Sequence, residues 1–290
     1  NEFARGHLMR KNARKASSKH HALWLHWLAD FLWAVCWKVG TKFAYWFGVL
    51  NVIRICYVVV VSLPFIVYYI CKARYIDRHG ERYSEEERYK MARKCIRIMM
   101  RGGRIETESF GQELLPQEGG YVMYSNHQGK YDTAGIMSSH PKPCTIVIDA
   151  YRSKLPITDS FIDLVQGSRL DKHDMKSQMK TILKIAEEVK SGRRYIIFPE
   201  GGYDHNRNDL QEFLPGSFKC ATKSQAPIVP VAIIDSYKPF GMNSLRRVKT
   251  QVHFLAPIFF EEYAQLTTHE IAELVKSRIS ETMDMQLKTR

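Results

Sequence analysis

Residues 121–139 read YVMYSNHQGKYDTAGIMSS. The first five are an unbroken apolar and aromatic run, the right length for a buried strand, and TAGIMSS reads as the start of a helix. Between them SNHQGKYD sets His127 and Asp132 five positions apart, with glycine and lysine in between. A strand that enters a helix through a short polar turn is the opening of a βαβ unit.

The same alternation continues on both sides. RIETESF (104–110) and CTIVIDA (144–150) read as strands, MKSQMKTILKIAEEVKSG (175–192) as an amphipathic helix ended by Gly192, and YIIFP (195–199) as a buried strand. FKCATKSQ (218–225) reads as a helix, and PIVPVAII (227–234) and VKTQVHFLAPI (248–258) as strands. Proline is disfavoured inside a central strand, so Pro227 and Pro230 are expected to mark a strand beginning. Two helix starts carry capping boxes, Ser84 with Glu87 and Thr267 with Glu270. The first of these helices carries the apolar stripe Met91, Cys95, Ile98 and Met99 and stops at Gly102-Gly103. The expected fold is α/β, a mainly parallel sheet flanked by helices. In such sheets ligands sit beyond the carboxyl ends of the strands. SNHQGKYD and FPEGG both follow strands at that edge.

Upstream the character changes. The chain begins with asparagine, so its natural start is expected at Met9, and residues 1–20 form a basic tail expected to be mobile. Residues 21–73 hold all five tryptophans, Trp24, Trp27, Trp33, Trp37 and Trp46, with Trp27, Leu28, Phe31, Ala34 and Val35 at helical spacing. Tryptophan gathered in this way suits the membrane–water boundary, although an aromatic face packed on the protein's own core has the same pattern. Between Lys42 and Lys72 the only charge is Arg54, and the run is long enough to span a bilayer. Arg54 must then snorkel or pair, and Pro64 allows a kinked helix pair that dips into one leaflet instead. Lys72 and Arg74 at the exit place the domain at 74–290 on the cytoplasmic side.

With 43 basic and 30 acidic residues the net charge is +13, which favours an anionic partner. There is no zinc-finger spacing and no basic run interleaved with aromatics, so nucleic acid is not expected. Cys36, Cys56, Cys71, Cys95, Cys144 and Cys220 form no C-x-x-C pair and read as reduced thiols of a cytoplasmic setting.

At the sheet edge, a neutral imidazole at His127 can accept a proton near neutral pH, and Asp132 can fix its tautomer if Gly129 lets the chain turn tightly. No serine or cysteine sits at a convincing elbow, so the attacking hydroxyl belongs to a substrate. In FPEGGYDHN (198–206), Glu200 lies beside Gly201 and Gly202, whose N–H groups suit an anion or oxyanion. In QGSRLDKHD (166–174), Arg169 and Lys172 are spaced to serve a phosphate, with Lys154 nearby. Taken singly, each pattern also describes a solvated surface turn. His127, Asp132, Glu200 and His205 could be drawn into a metal site, but no spacing enforces one and none is expected.

In this order, from about Arg104 to Pro257, the blocks resemble those of the glycerolipid acyltransferases, the 1-acylglycerol-3-phosphate acyltransferases above all. NHQGKYD is similar to the family's catalytic block, which implies His127 as general base and Asp132 as its partner. GSRLDK is similar to the acceptor-binding block, with Lys172 where arginine is usual. FPEGG is similar to the third block, which implies Glu200 and Gly201 in the acceptor site. LPGSFKCATKSQAPIVPVAI is similar to the stretch that runs from the family's Gly-containing helix start into its final motif, which ends on Pro230. Two departures stand out. Gly202 and Tyr203 replace the usual threonine and phosphate-binding arginine, with Arg207 four residues on as a candidate substitute, and Gly129 stands where serine or threonine is common. The resemblance implies acyl transfer from a coenzyme A or acyl carrier protein thioester to a lysophospholipid at a membrane, with no further cofactor. Glycerol 3-phosphate or another lysolipid stays open as acceptor, and so does a catalytically silent lipid-binding protein.

Overall fold

The computed structural model describes residues 53–289, apart from Leu155 and Asn243. The expectations for residues 1–20 and for the tryptophan-rich part of 21–73 lie outside the described residues. Helix α1 runs Ile53–Arg78 and α2 Glu85–Gly102. Then come β1 (Ile105–Phe110), β2 (Tyr121–Ser125), α3 (Asp132–Ser139), β3 (Thr145–Asp149), α4 (Pro156–Leu164) and β4 (Ser168–Leu170). They are followed by α5 (Met175–Lys190), β5 (Arg194–Ile197), α6 (Lys219–Ser224), β6 (Ile228–Ile234), α7 (Lys238–Gly241), β7 (Val248–Phe254), α8 (Phe260–Tyr263) and α9 (Thr268–Lys288). Both capping boxes form: Ser84 Oγ accepts from Glu87 N at the head of α2, and Thr267 Oγ1 from Glu270 N at the head of α9.

The seven strands lie in the order β1-β7-β6-β2-β5-β3-β4. β2 to β6 are mutually parallel, β7 runs antiparallel to β6, and β1 is parallel to β7. The mainly parallel sheet read from the alternation is therefore the sheet that forms. Successive residues of β2 go to opposite faces, as the period of two requires. Met123 joins a core with Ile76 of α1, Ala92 of α2, Ile136 of α3 and Ile162 of α4. Val122 and Tyr124 join the other, with Val189 of α5, Ala221 of α6 and Val275 of α9.

One expectation changes, and a second is met in one of its two forms. Pro230 lies inside β6, not at its start. Its carbonyl accepts from Leu255 N on the β7 side, while β7 pairs with β6 only from Val231 onward. The missing proline N–H thus falls in the gap between that ladder and the antiparallel bridge of Ile228 with Ile258. Arg54 is the second case. Of the two alternatives for it, snorkelling or pairing, it takes the second: fully buried, its Nε donates to Ser244 O (2.6 Å), Nη1 to Gly103 O (2.9 Å) and Nη2 to Arg246 O (2.5 Å). The charge bolts the start of an apolar helix to two loops of the domain. At the other end of the helix, Ala73 and Ile76 enter the core. Between them Val60, Phe65 and Tyr68 are more than half exposed.

Candidate active site

β2 and β5 are neighbours and parallel, so the turns that follow them meet at one edge of the sheet. That places His127 beside Glu200. β3 and β4 come next in the same direction and bring Asp149, Arg152 and Lys172 to the same edge.

His127 Nδ1 lies 2.7 Å from Asp132 Oδ2. Asp132 is wholly buried, and the same oxygen accepts the backbone N–H of Gln128 (2.6 Å) and Gly129 (2.9 Å). In a neutral imidazole whose Nδ1–H is accepted by the carboxylate, Nε2 carries no proton and is able to take one. Nε2 has no partner among the described residues, and the His127 side chain is 16 % exposed. The pair expected from SNHQGKYD is thus brought together. Gly129 is not what makes the turn. Its φ is outside the left-handed region, and a Cβ there would make only an ordinary contact with Tyr237 Cα at 3.5 Å. Asp132 organises the turn itself, by gathering the two amides before it.

The loop is held from four further directions. Glu200 Oε1 accepts His127 N (3.2 Å), and Asn206 Nδ2 donates to His127 O (3.1 Å). The Asn126 amide pairs with both backbone groups of Ile233 in β6, donating to its O (3.0 Å) and accepting from its N (2.8 Å). Gln128 donates to Ile233 O (2.8 Å) and accepts from Ser236 N (2.8 Å). Burial pushes the Glu200 carboxyl up to about 7; its bonds from His127 N and Gln211 oppose the rise and the nearby Asp132 charge adds to it. Gly201 has φ +71, in the left-handed region that favours glycine; a Cβ there would meet only Leu214 Cδ1, the tip of an exposed side chain that can move aside.

The backbone donors expected for an oxyanion are mostly engaged. His127, Gln128 and Gly129 N–H serve the carboxylates, and Gly201 N donates to Phe198 O. Gly202 N donates to no group among the described residues, and nothing lies within 4 Å of where its Cβ would be.

The basic residues divide. Lys172 Nζ donates to Gly201 O and sits 3.5 Å from Asp149 Oδ2, which brings its charge to the Glu200 turn. Arg169 does not face the site as expected: Nη2 lies 2.7 Å from both Asp159 and Asp163 of α4, so its fork ties α4 to β4. Arg207, with φ 51, holds its guanidinium 5.9 Å from the Tyr237 ring centre. Sequence reasoning missed Arg152, whose guanidinium lies 5.6 Å over the Tyr203 ring. It also missed Phe198, stacked on His127, and the amides of Asn126, Gln128 and Asn206. A signal for two of these was present, since Asn126 and Gln128 are polar groups directly after a buried strand and so need partners.

An Acyltransferase family model matches residues 104–234, from the head of β1 to the end of β6, and that span holds His127, Asp132, Lys172 and Glu200. Residues 104–234 form an acyltransferase-family domain. Among its relatives, the 1-acyl-sn-glycerol-3-phosphate acyltransferase of Saccharomyces cerevisiae is 26 % identical over 62 % of this chain and 60 % of its own length. The human 1-acyl-sn-glycerol-3-phosphate acyltransferase alpha is 29 % identical over 53 % of this chain and 55 % of its own. The chain thus spans between half and two thirds of these relatives. The fold is shared with the 1-acyl-sn-glycerophosphate (LPA) acyltransferase of Thermotoga maritima, at TM-score 0.68 and 20 % identity, over 83 % of this chain and 97 % of the other.

Proposed function

We propose that the protein transfers a fatty acyl group from a thioester to the free hydroxyl of a lysophospholipid, with 1-acylglycerol-3-phosphate as acceptor and phosphatidic acid as product. The observation that carries this reading is the His127–Asp132 pair at 2.7 Å with Nε2 open at the sheet edge. Nε2 takes the proton of the acceptor hydroxyl as its oxygen bonds to the thioester carbonyl carbon. The developing oxyanion meets Gly202 N–H. The C–S bond then breaks, and the departing thiolate recovers the proton from His127. Lys172 and Arg152 give the acceptor phosphate its counter-charge. No covalent enzyme intermediate is formed.

The donor is an acyl thioester of coenzyme A or of acyl carrier protein; the chemistry at His127 is the same for both. The exposed apolar side of α1 supports docking on a membrane from its cytoplasmic face, and the net charge of +13 suits anionic lipid heads. Arg54 bonded to the domain at one end of α1 and Ile76 in its core at the other support a helix that lies along the domain.

His127→Ala is the test. Transfer of radiolabelled palmitate from palmitoyl-CoA to lysophosphatidic acid should fall by about 10³-fold or more, while the thermal transition is retained. Near wild-type turnover in a folded variant would remove His127 from the reaction.

A further inference from the structure

A histidine primed by a carboxylate does not by itself distinguish an alcohol from water. Both offer an O–H, and both can attack a thioester once deprotonated. Discrimination has to come from keeping water away from Nε2. In this chain the residue at the position of the family's third-block arginine is Tyr203, and its ring touches the base directly. The Tyr203 and His127 ring centres are 4.6 Å apart with planes at 79°, an edge contact. Phe198 stacks on the same imidazole at 4.2 Å and 18°. Arg152 lies over the Tyr203 ring, in reach of a cation–π attraction that braces it. The Tyr203 hydroxyl makes no hydrogen bond among the described residues, so the ring is what the site uses. Around an Nε2 that has no protein partner, two aromatic rings replace the polar groups and water an exposed base would otherwise meet.

We propose that Tyr203 is a positioning residue that holds water off His127 and so suppresses a latent thioesterase activity of this site. The inference rests on the acyl-transfer reading above. In the suppressed reaction a water oxygen bonds to the acyl carbonyl carbon, His127 takes one water proton and returns it to the thiolate as the C–S bond breaks, and the products are a free fatty acid and a thiol. No electrons change hands, and the remaining acidic proton is lost from the fatty acid to solvent.

The full chain in detergent micelles, given palmitoyl-CoA or palmitoyl-acyl carrier protein, is assayed for thiol release and, separately, for phosphatidic acid, with and without lysophosphatidic acid. In the wild type, thiol release should match phosphatidic acid one for one and be near background without acceptor. Tyr203→Ala should raise acceptor-independent thiol release by about tenfold and lower the ratio of transfer to hydrolysis by the same factor. Tyr203→Phe should keep the wild-type ratio, because the ring acts and not the hydroxyl. Adding His127→Ala to Tyr203→Ala should abolish the hydrolysis, which shows that the same base drives it. If Tyr203→Ala does not fold, Tyr203→Leu, which keeps apolar bulk without a ring edge, should show a smaller rise of the same sign. An unchanged ratio in folded Tyr203→Ala or Tyr203→Leu, with transfer intact, overturns the proposal and leaves the acyl-transfer reading standing. A wild type that releases thiol from neither donor, with or without acceptor, overturns the acyl-transfer reading itself.

Discussion

Glu200 has a titration that stability measurements can follow. Its carboxyl is raised from the usual 4.5 to about 7, chiefly by burial. Below about pH 4.5 the folded and unfolded chains both hold the proton. Between there and about 7 only the folded chain does, so its stability falls as pH rises, and above 7 the full cost is present. Glu200→Gln has no charge to bury, so it should flatten that decline by up to about 3 kcal/mol across the window. Denaturant melts at pH 5 and pH 8 read it directly, and an unchanged slope in the variant would show that the carboxylate is not the source. The neighbouring glycines show how little composition says at this scale. Gly201 is favoured by its positive φ, whereas a side chain at Gly202 would meet open space. The adjacent pair in the sequence does not say which is which, because the difference lies in the backbone turn after β5, where Gly201 alone takes a positive φ.

At the scale of elements, α1 presents an unusual case, a helix whose exposed side is apolar and whose only early charge is buried. Its anchor is Arg54, with three carbonyls from two separate loops. Arg54→Ala leaves those carbonyls without donors and should destabilise the docking of α1 by about 3 kcal/mol. Hydrogen exchange should speed up in the α1 amides while those of β2 and β5 stay protected. Arg54→Lys should restore only part of the protection, since one ammonium cannot meet three carbonyls that a planar fork reaches together. Equal acceleration in every element would mean that α1 is not a separately docked unit. The capping boxes of α2 and α9 were readable in advance because a cap joins residues three apart. The partners of Arg54 were not, because they lie 49 to 192 positions away.

For the whole molecule, the sheet sorts its chemistry to one edge and a lipid-compatible surface to one layer. α1, α2, α3 and α4 share one face of the sheet, and α5, α6 and α9 the other. Val60 and Phe65 belong to the exposed side of the first layer. Paired Val60→Asp and Phe65→Asp substitutions should weaken sedimentation of the full chain with anionic vesicles by about tenfold, the loss expected for one or two buried apolar side chains. Retained binding would place the lipid contact elsewhere on the chain. How much of this was legible follows from range. The alternation of strand and helix, the two capping boxes, the apolar run at the head of the domain and the His127–Asp132 pair were open to reading, since each rests on period or spacing within a few residues. The choice among basic residues was not. Arg169 and Lys172 stand three apart, one in β4 and one just after it, but α4 supplies two carboxylates that claim Arg169 while Lys172 reaches the Glu200 turn. Nor was the placement of Tyr203, which meets His127 only because β2 and β5 pair in parallel and end together. Local pattern determined which elements and which acid–base pair this chain would make. Which side chains shield, brace or neutralise that pair was decided by strand order and register, since those alone set which distant residues stand within a few ångströms of one another.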